Sequence, residues 1–125
     1  LDLTKKKIQN ALKAKNAPWE ISKTFPGACP LGQWLNFDPG HTCLSQFEVK
    51  LTVNGEPRQH GYISKHIWQC GELLQRMAQT TGLNAGDVVL VGTGPNPGPL
   101  RRGDHLKASL LFLDEEVLAS DFFVE

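Results

Sequence analysis

The chain has 125 residues, enough for one domain with a core and not for two. Its 13 basic and 13 acidic side chains cancel, and no apolar run approaches a membrane span, so neither nucleic acid nor a membrane is an expected partner. Three unevenly spaced cysteines (Cys29, Cys43, Cys70) fit neither a disulfide framework nor a Cys-x-x-Cys zinc site. They point to a reducing compartment, the cytoplasm or the mitochondrial matrix.

The opening Leu1-Asp2-Leu3-Thr4 reads like the end of a strand already under way, so a fragment is expected. Residues 4–16 place Ile8, Ala11, Leu12 and Ala14 among lysines, an amphipathic helix with Thr4 as N-cap. Lys5-Lys6-Lys7, Lys13 and Lys15 have no interleaved aromatic residues, and read as a solvated face. Residues 17–30 form a loop broken by Pro18, Pro26, Gly27 and Pro30. It carries Lys23, whose ammonium either snorkels to water or, in a pocket, holds a carboxylate. Residues 31–37 look extended, and Asp38-Pro39-Gly40 is a turn.

Residues 46–54 alternate, with Phe47, Val49, Leu51 and Val53 on one face and Glu48, Lys50 and Thr52 on the other. Asn54-Gly55 then predicts a hairpin, with the chain returning antiparallel from Arg58. A second helix spans 67–81 on Leu73, Leu74, Met77 and Ala78, capped by Gly82. Asp87-Val88-Val89-Leu90-Val91 is β-branched and uninterrupted, which suits a strand buried on both faces. From Gly92 to Pro99, three glycines and three prolines exclude regular structure. The stretch reads as a strand ending in a turn, with Thr93 where a scaffold often presents a hydroxyl to a ligand. Strands over 105–113 and 117–124, joined by a turn at Asp114-Glu115-Glu116, complete the chain.

His66 and Cys70 stand four apart and could share a helix face as metal ligands, but two soft ligands alone read as packing residues. His41, His60 and His105 have no acidic partner at a diagnostic spacing, so no nucleophilic triad is argued. The residues give a mixed α/β domain dominated by antiparallel strands. They do not give a reaction.

Several segments together do carry a resemblance. Leu1-Asp2-Leu3-Thr4 with Gln9, Pro18-Trp19-Glu20, Lys23-Thr24-Phe25, Cys29-Pro30-Leu31, Val53-Asn54-Gly55-Glu56 with Arg58-Gln59 and Gly61, and Gly86-Asp87-Val88-Val89-Leu90 with Gly92-Thr93 closely resemble the fumarylacetoacetate hydrolase superfamily. The small acylpyruvate hydrolase and oxaloacetate decarboxylase branch is nearest. The likeness covers nearly the whole chain. It implies an α+β fold, a mixed, mostly antiparallel β-roll with two or three short helices. Residues 1–125 would be a single domain of this type lacking its N-terminal portion. It also implies Mg²⁺ or Mn²⁺ and a small 2-oxo acid substrate. Asp2 matches the metal-binding aspartate, Lys6 an arginine that contacts the substrate carboxylate, and Gln9 a substrate-contacting glutamine. Lys23 matches the motif lysine and Thr93 the loop threonine, both catalytic. A homodimer, or a complementary N-terminal segment or chain, is implied as partner.

Departures accompany the matches. The metal site of the superfamily also needs a Glu-x-Glu pair, and none occurs in these 125 residues. Lys6 keeps the charge of the usual arginine without its planar fork. Lys7, Tyr62-Ile63 and Gly94 also differ from the common pattern. Two readings follow: a metal-dependent carbon–carbon bond hydrolase or decarboxylase of 3-acylpyruvates or oxaloacetate-like acids, or a catalytically degenerate member kept as a structural or interaction subunit.

Overall fold

In the computed structural model of the protein, which describes residues 1–36 and 43–125, Asn54 and Gly55 both take left-handed backbone, φ +54 and +85. Two successive positive φ values match the twist of the flanking strands, and they fold the expected hairpin. Strand β1 (Phe47–Val53) pairs antiparallel with β2 (Glu56–Tyr62) through it. On its other side β1 pairs antiparallel with β3 (His105–Phe112), which pairs in turn with β4 (Glu115–Phe123). The order is β2-β1-β3-β4. With two α-helices and this antiparallel sheet the class is α+β. The expected turn at Asp38 and His41 lie outside the described residues.

Two compact units divide the chain, Leu1–Leu31 and Gly32–Glu125. The second holds the sheet. Phe47, Val53 and Leu106 lie on one face and are 4%, 5% and 2% exposed. Phe47 stacks obliquely on its cross-strand partner Phe112, ring centroids 4.9 Å apart. Leu111, buried as well, belongs to the opposite face by alternation. Val49, expected inward with this row, is exposed instead, because its partner on β2 is Gly61, which has no side chain to cover it. Between Leu51 and Thr52 the register with β2 shifts and leaves Arg58 as an extra residue, a bulge in an edge strand that also accommodates Pro57.

Helix α2 (Cys70–Thr80) is shorter than the expected 67–81; Ile67 stands outside it, almost fully exposed, and Gly82 ends it with φ +72. The turn between β3 and β4 is Leu113-Asp114, both at positive φ, so β4 starts two residues before the expected 117. The largest correction concerns residues 87–91. They form no strand ladder with any described residue, and Val88 and Leu90 are exposed. A strand buried on both faces needs neighbours, and neither edge of the four-stranded sheet pairs with this segment.

In the first unit, helix α1 (Lys6–Lys13) occupies less than the expected 4–16. Its N-cap is Lys5, without a side-chain capping bond, so Thr4 is not the cap. The stretch before α1 is tied to the later loop by two main-chain bonds, Leu3 N–H to Ala28 O (2.8 Å) and Lys5 N–H to Ser22 O (2.9 Å). The five basic residues are all exposed, as a solvated face requires, and two of them also meet rings: Lys5 Nζ lies 4.5 Å from the Phe25 ring centroid and Lys13 Nζ 4.7 Å from that of Trp19.

Candidate active site

The short 3₁₀ turn Glu20–Ser22 sets the direction of Lys23. Ser22 at its end is fully buried, its hydroxyl donating to the Trp19 carbonyl at 2.6 Å. The Lys23 and Thr24 N–H groups both donate to Glu20 O, at 2.8 and 2.9 Å, so the backbone under the lysine is fixed on two sides. The Lys23 ammonium is then bound to the Asp2 carboxylate and donates to Thr4 Oγ1 at 2.9 Å. Lys23 thus pairs with a carboxylate of its own chain. Thr4, expected as a helix cap, spends its hydroxyl on the same ammonium. The side chains of Lys23 and Asp2 remain 27% and 34% exposed, enough to meet a small anion from solvent.

Lys6 and Gln9, the other two residues of this unit picked out by resemblance, face each other one turn along α1. Lys6 Nζ donates to Gln9 Oε1 at 2.8 Å, and Gln9 is 7% exposed. A buried amide oxygen thus orients an exposed ammonium, a way to hold an anionic group that differs from the planar fork of arginine.

Thr93 belongs to the second unit, where it is exposed on the loop after residues 87–91. That loop is held from β2. Gln59 Nε2 donates to Gly94 O and to Pro95 O, both at 3.0 Å, and Arg58 Nη1 reaches Pro99 O at 3.4 Å. A side chain on Gly94 would meet the Gly61 backbone at 3.6 Å. Arg58, Gln59 and Gly61 carry part of the resemblance, but no role follows for them from it, because nothing in linear spacing says which loop a returning strand will face. Leu90 and Gly92, just before Thr93 in the chain, help line an open, mainly apolar pocket of about 460 Å³ together with Lys65, His66, Trp68 and Leu73. His66 Nδ1 is buried there without a hydrogen-bond partner among the described residues.

Two histidines with no acidic partner at a diagnostic spacing acquire one through the sheet. His60 Nε2 meets Glu48 Oε2, and His105 Nε2 meets Asp121 Oδ1, each at 2.6 Å across strands. Among the described residues no hydrogen bond joins either pair to a serine, threonine or cysteine, so no triad is seen there. For a divalent metal the donor set is short. Among the described residues no three His, Cys, Asp or Glu side chains gather around one point. Among the described residues Asp2 is the carboxylate paired with Lys23, whereas Mg²⁺ keeps near-octahedral oxygen coordination. The described residues do not by themselves fit such an ion.

The family model described as fumarylacetoacetate hydrolase C-terminal matches residues 1–118. Oxaloacetate tautomerase YcgM of Escherichia coli is 40% identical over 111 residues, 85% of this chain and 48% of that protein. The mitochondrial oxaloacetate decarboxylase of Dictyostelium discoideum is 30% identical over 117 residues, 94% of this chain and 53% of that protein. Among solved structures, yeast ynq8, a fumarylacetoacetate hydrolase family protein, has TM-score 0.89 at 28% identity, covering 98% of this chain and 51% of that one. A fumarylpyruvate hydrolase from Pseudomonas aeruginosa, in complex with Mn²⁺ and pyruvate, has TM-score 0.79 at 25% identity, covering 97% and 50%. The chain spans about half the length of the relatives it matches. With nearly all of its residues inside the family model, the chain belongs to the fumarylacetoacetate hydrolase family.

Proposed function

We propose that the chain forms part of an enzyme that breaks a carbon–carbon bond in a 2-oxo acid, either by hydrolysing 3-acylpyruvates or by decarboxylating oxaloacetate-like acids. Both reactions share one intermediate. When the bond at C3 breaks, its electron pair stays on C3 and delocalises onto the 2-oxo oxygen, giving the enolate of pyruvate; a proton delivered to C3 then gives pyruvate. In one case the other product is carbon dioxide. In the other, a water molecule adds to the acyl carbonyl and the second product is a carboxylic acid. Keto–enol tautomerisation of oxaloacetate, the activity in the name of the Escherichia coli relative, passes through the same kind of enolate.

The observation that carries this reading is the Lys23 ammonium, fixed between the Asp2 carboxylate and the Thr4 hydroxyl on a backbone tied at Leu3–Ala28 and Lys5–Ser22. A preorganised ammonium can hold the substrate carboxylate and oppose charge developing on the enolate oxygen without reorganising. Lys6, oriented by Gln9, adds a second cation for the substrate carboxylate, and Thr93 a hydroxyl donor. Metal dependence belongs to the same proposal. Asp2 would be one ligand to Mg²⁺ or Mn²⁺, and further carboxylates would have to come from outside residues 1–125. The ion would supply positive charge at the 2-oxo oxygen. A complementary N-terminal segment or chain, or a homodimer, is the proposed source of the rest of the site, with 1–125 acting as one domain in the cytoplasm or mitochondrial matrix.

In the full protein, pyruvate should be released from oxaloacetate or acetylpyruvate in the presence of Mg²⁺ or Mn²⁺. Lys23→Ala should lower the rate by about 10²–10³-fold, the scale for loss of one preorganised donor. A second reading, a degenerate structural or interaction subunit, is favoured by the short metal donor set and by an Asp2 carboxylate already neutralised by Lys23. Absence of turnover with saturating metal, together with indifference to Lys23→Ala, would decide for it.

A further inference from the structure

We propose that Gln59 is the positioning residue for Thr93, fixing where the loop hydroxyl stands relative to a bound substrate. The inference rests on the role given to Thr93 above and deepens it. The loop is poor in its own hydrogen bonds. Pro95, Pro97 and Pro99 have no N–H, and among the described residues 88–100 make no main-chain to main-chain hydrogen bond. A backbone so deficient in donors cannot close its own turns, so its carbonyls must be satisfied by side chains or water. On β2, Gln59 meets that need. Its amide nitrogen carries two hydrogens, and it donates to the carbonyls of Gly94 and Pro95, the two residues directly after Thr93.

The seat is a strand paired along its length with β1. Gln59 sits opposite Leu51 of β1, immediately beside the bulge that leaves Arg58 unpaired. Arg58, the extra residue there, reaches Pro99 O at the far end of the loop. Adjacent residues of one strand therefore hold both ends of the Thr93 loop, and Gln59 holds the end that carries the hydroxyl. Glutamate at 59 has the same shape but only acceptors, and would face two carbonyl oxygens with a negative charge. Leucine has similar bulk and no donors.

The test is a double-mutant cycle in the full protein, with oxaloacetate and acetylpyruvate as substrates, together with the nuclear relaxation of the Thr93 methyl group in threonine-labelled protein. Gln59→Leu and Gln59→Glu should each lower kcat/KM by about 10–100-fold, the scale on which misplaced catalytic geometry acts. In a Thr93→Ala background the same changes should cost less than about 3-fold, because groups that act as a unit are non-additive. The Thr93 methyl order parameter should fall in both Gln59 variants, while the methyls of Thr24, Thr80 and Thr81, which lie away from this loop in the chain, stay unchanged. Full additivity with Thr93→Ala, or an unaltered Thr93 methyl in either variant, overturns the proposal. Thr93→Ala with undiminished turnover overturns instead the role assigned to Thr93. The methyl measurement decides the positioning claim even where neither substrate is turned over.

Discussion

Asp104 shows how a single side chain fixes the junction where β3 begins. Its carboxylate accepts the Arg101 N–H at 2.7 Å and the Asn54 amide at 2.9 Å, while Asn54 Oδ1 accepts the His105 N–H at 2.9 Å. The Arg101 N–H first, the Asn54 amide second, and the charges of Arg101 and Arg58 after them hold Asp104 below the usual aspartate range. The carboxyl therefore binds its proton more weakly in the folded chain than in the unfolded one. Its contribution to stability is present above the ordinary aspartate range and is lost as pH falls through the depressed folded value. Asp104→Asn should therefore flatten the acid limb of the Tm–pH profile, most visibly below about pH 4. Parallel profiles for the two proteins would show that Asp104 carries none of that dependence. Such contacts are only partly legible in the sequence. Resemblance names Lys23 and Asp2 but not their ion pair, and Glu48–His60 and Asp121–His105 need strand register, since partners 12 and 16 residues apart have no local signature.

At the scale of elements, the sequence is clearest where backbone chemistry leaves one choice. Asn54-Gly55 has the residues a two-residue hairpin prefers, and the turn forms there. Leu113-Asp114 makes the same kind of link without those residues, with φ +50 and +68, and Leu113 is 61% exposed. No composition rule would place a leucine in left-handed backbone, which is why residue chemistry alone puts the turn one residue later. The left-handed conformation costs a branched residue about 1–2 kcal/mol. The double substitution Leu113→Asn with Asp114→Gly should stabilise the protein by about 1 kcal/mol in urea unfolding, since Asn and Gly accept positive φ more readily. An unchanged or lower midpoint would mean that the leucine makes contacts worth as much as its strain. Residues 87–91 teach the converse. A β-branched run states a preference for extended backbone, but a strand also needs an edge to pair with, and that information is not in the run itself.

Across the sheet-bearing unit, burial is concentrated in the middle. Phe47, Val53, Leu106 and Leu111 are the buried apolar residues among those described, and all four lie on β1 and β3, the two interior strands. Helix α2 has an apolar side, Leu73 and Met77 with Leu74 and Ala78, yet none of its residues is buried, and Val88 and Leu90 are exposed as well. Local opening free energy follows buried apolar contact and shielded hydrogen bonds, so the unit should not open uniformly. In hydrogen exchange on the 1–125 polypeptide, amides of β1 and β3 should form the slowest set. Those of α2 should exchange through local fraying at least about tenfold faster, since roughly 1.4 kcal/mol of opening free energy already gives that factor and the helix lacks a packed face. Equal protection of α2 and β1 would mean that the helix is stabilised by contacts beyond those described. In a longer protein carrying the other half of the relatives' length, selective slowing at α2 and 88–91 would map the surface which that half covers; slowing spread evenly over the sheet would place its contribution in the core strands instead.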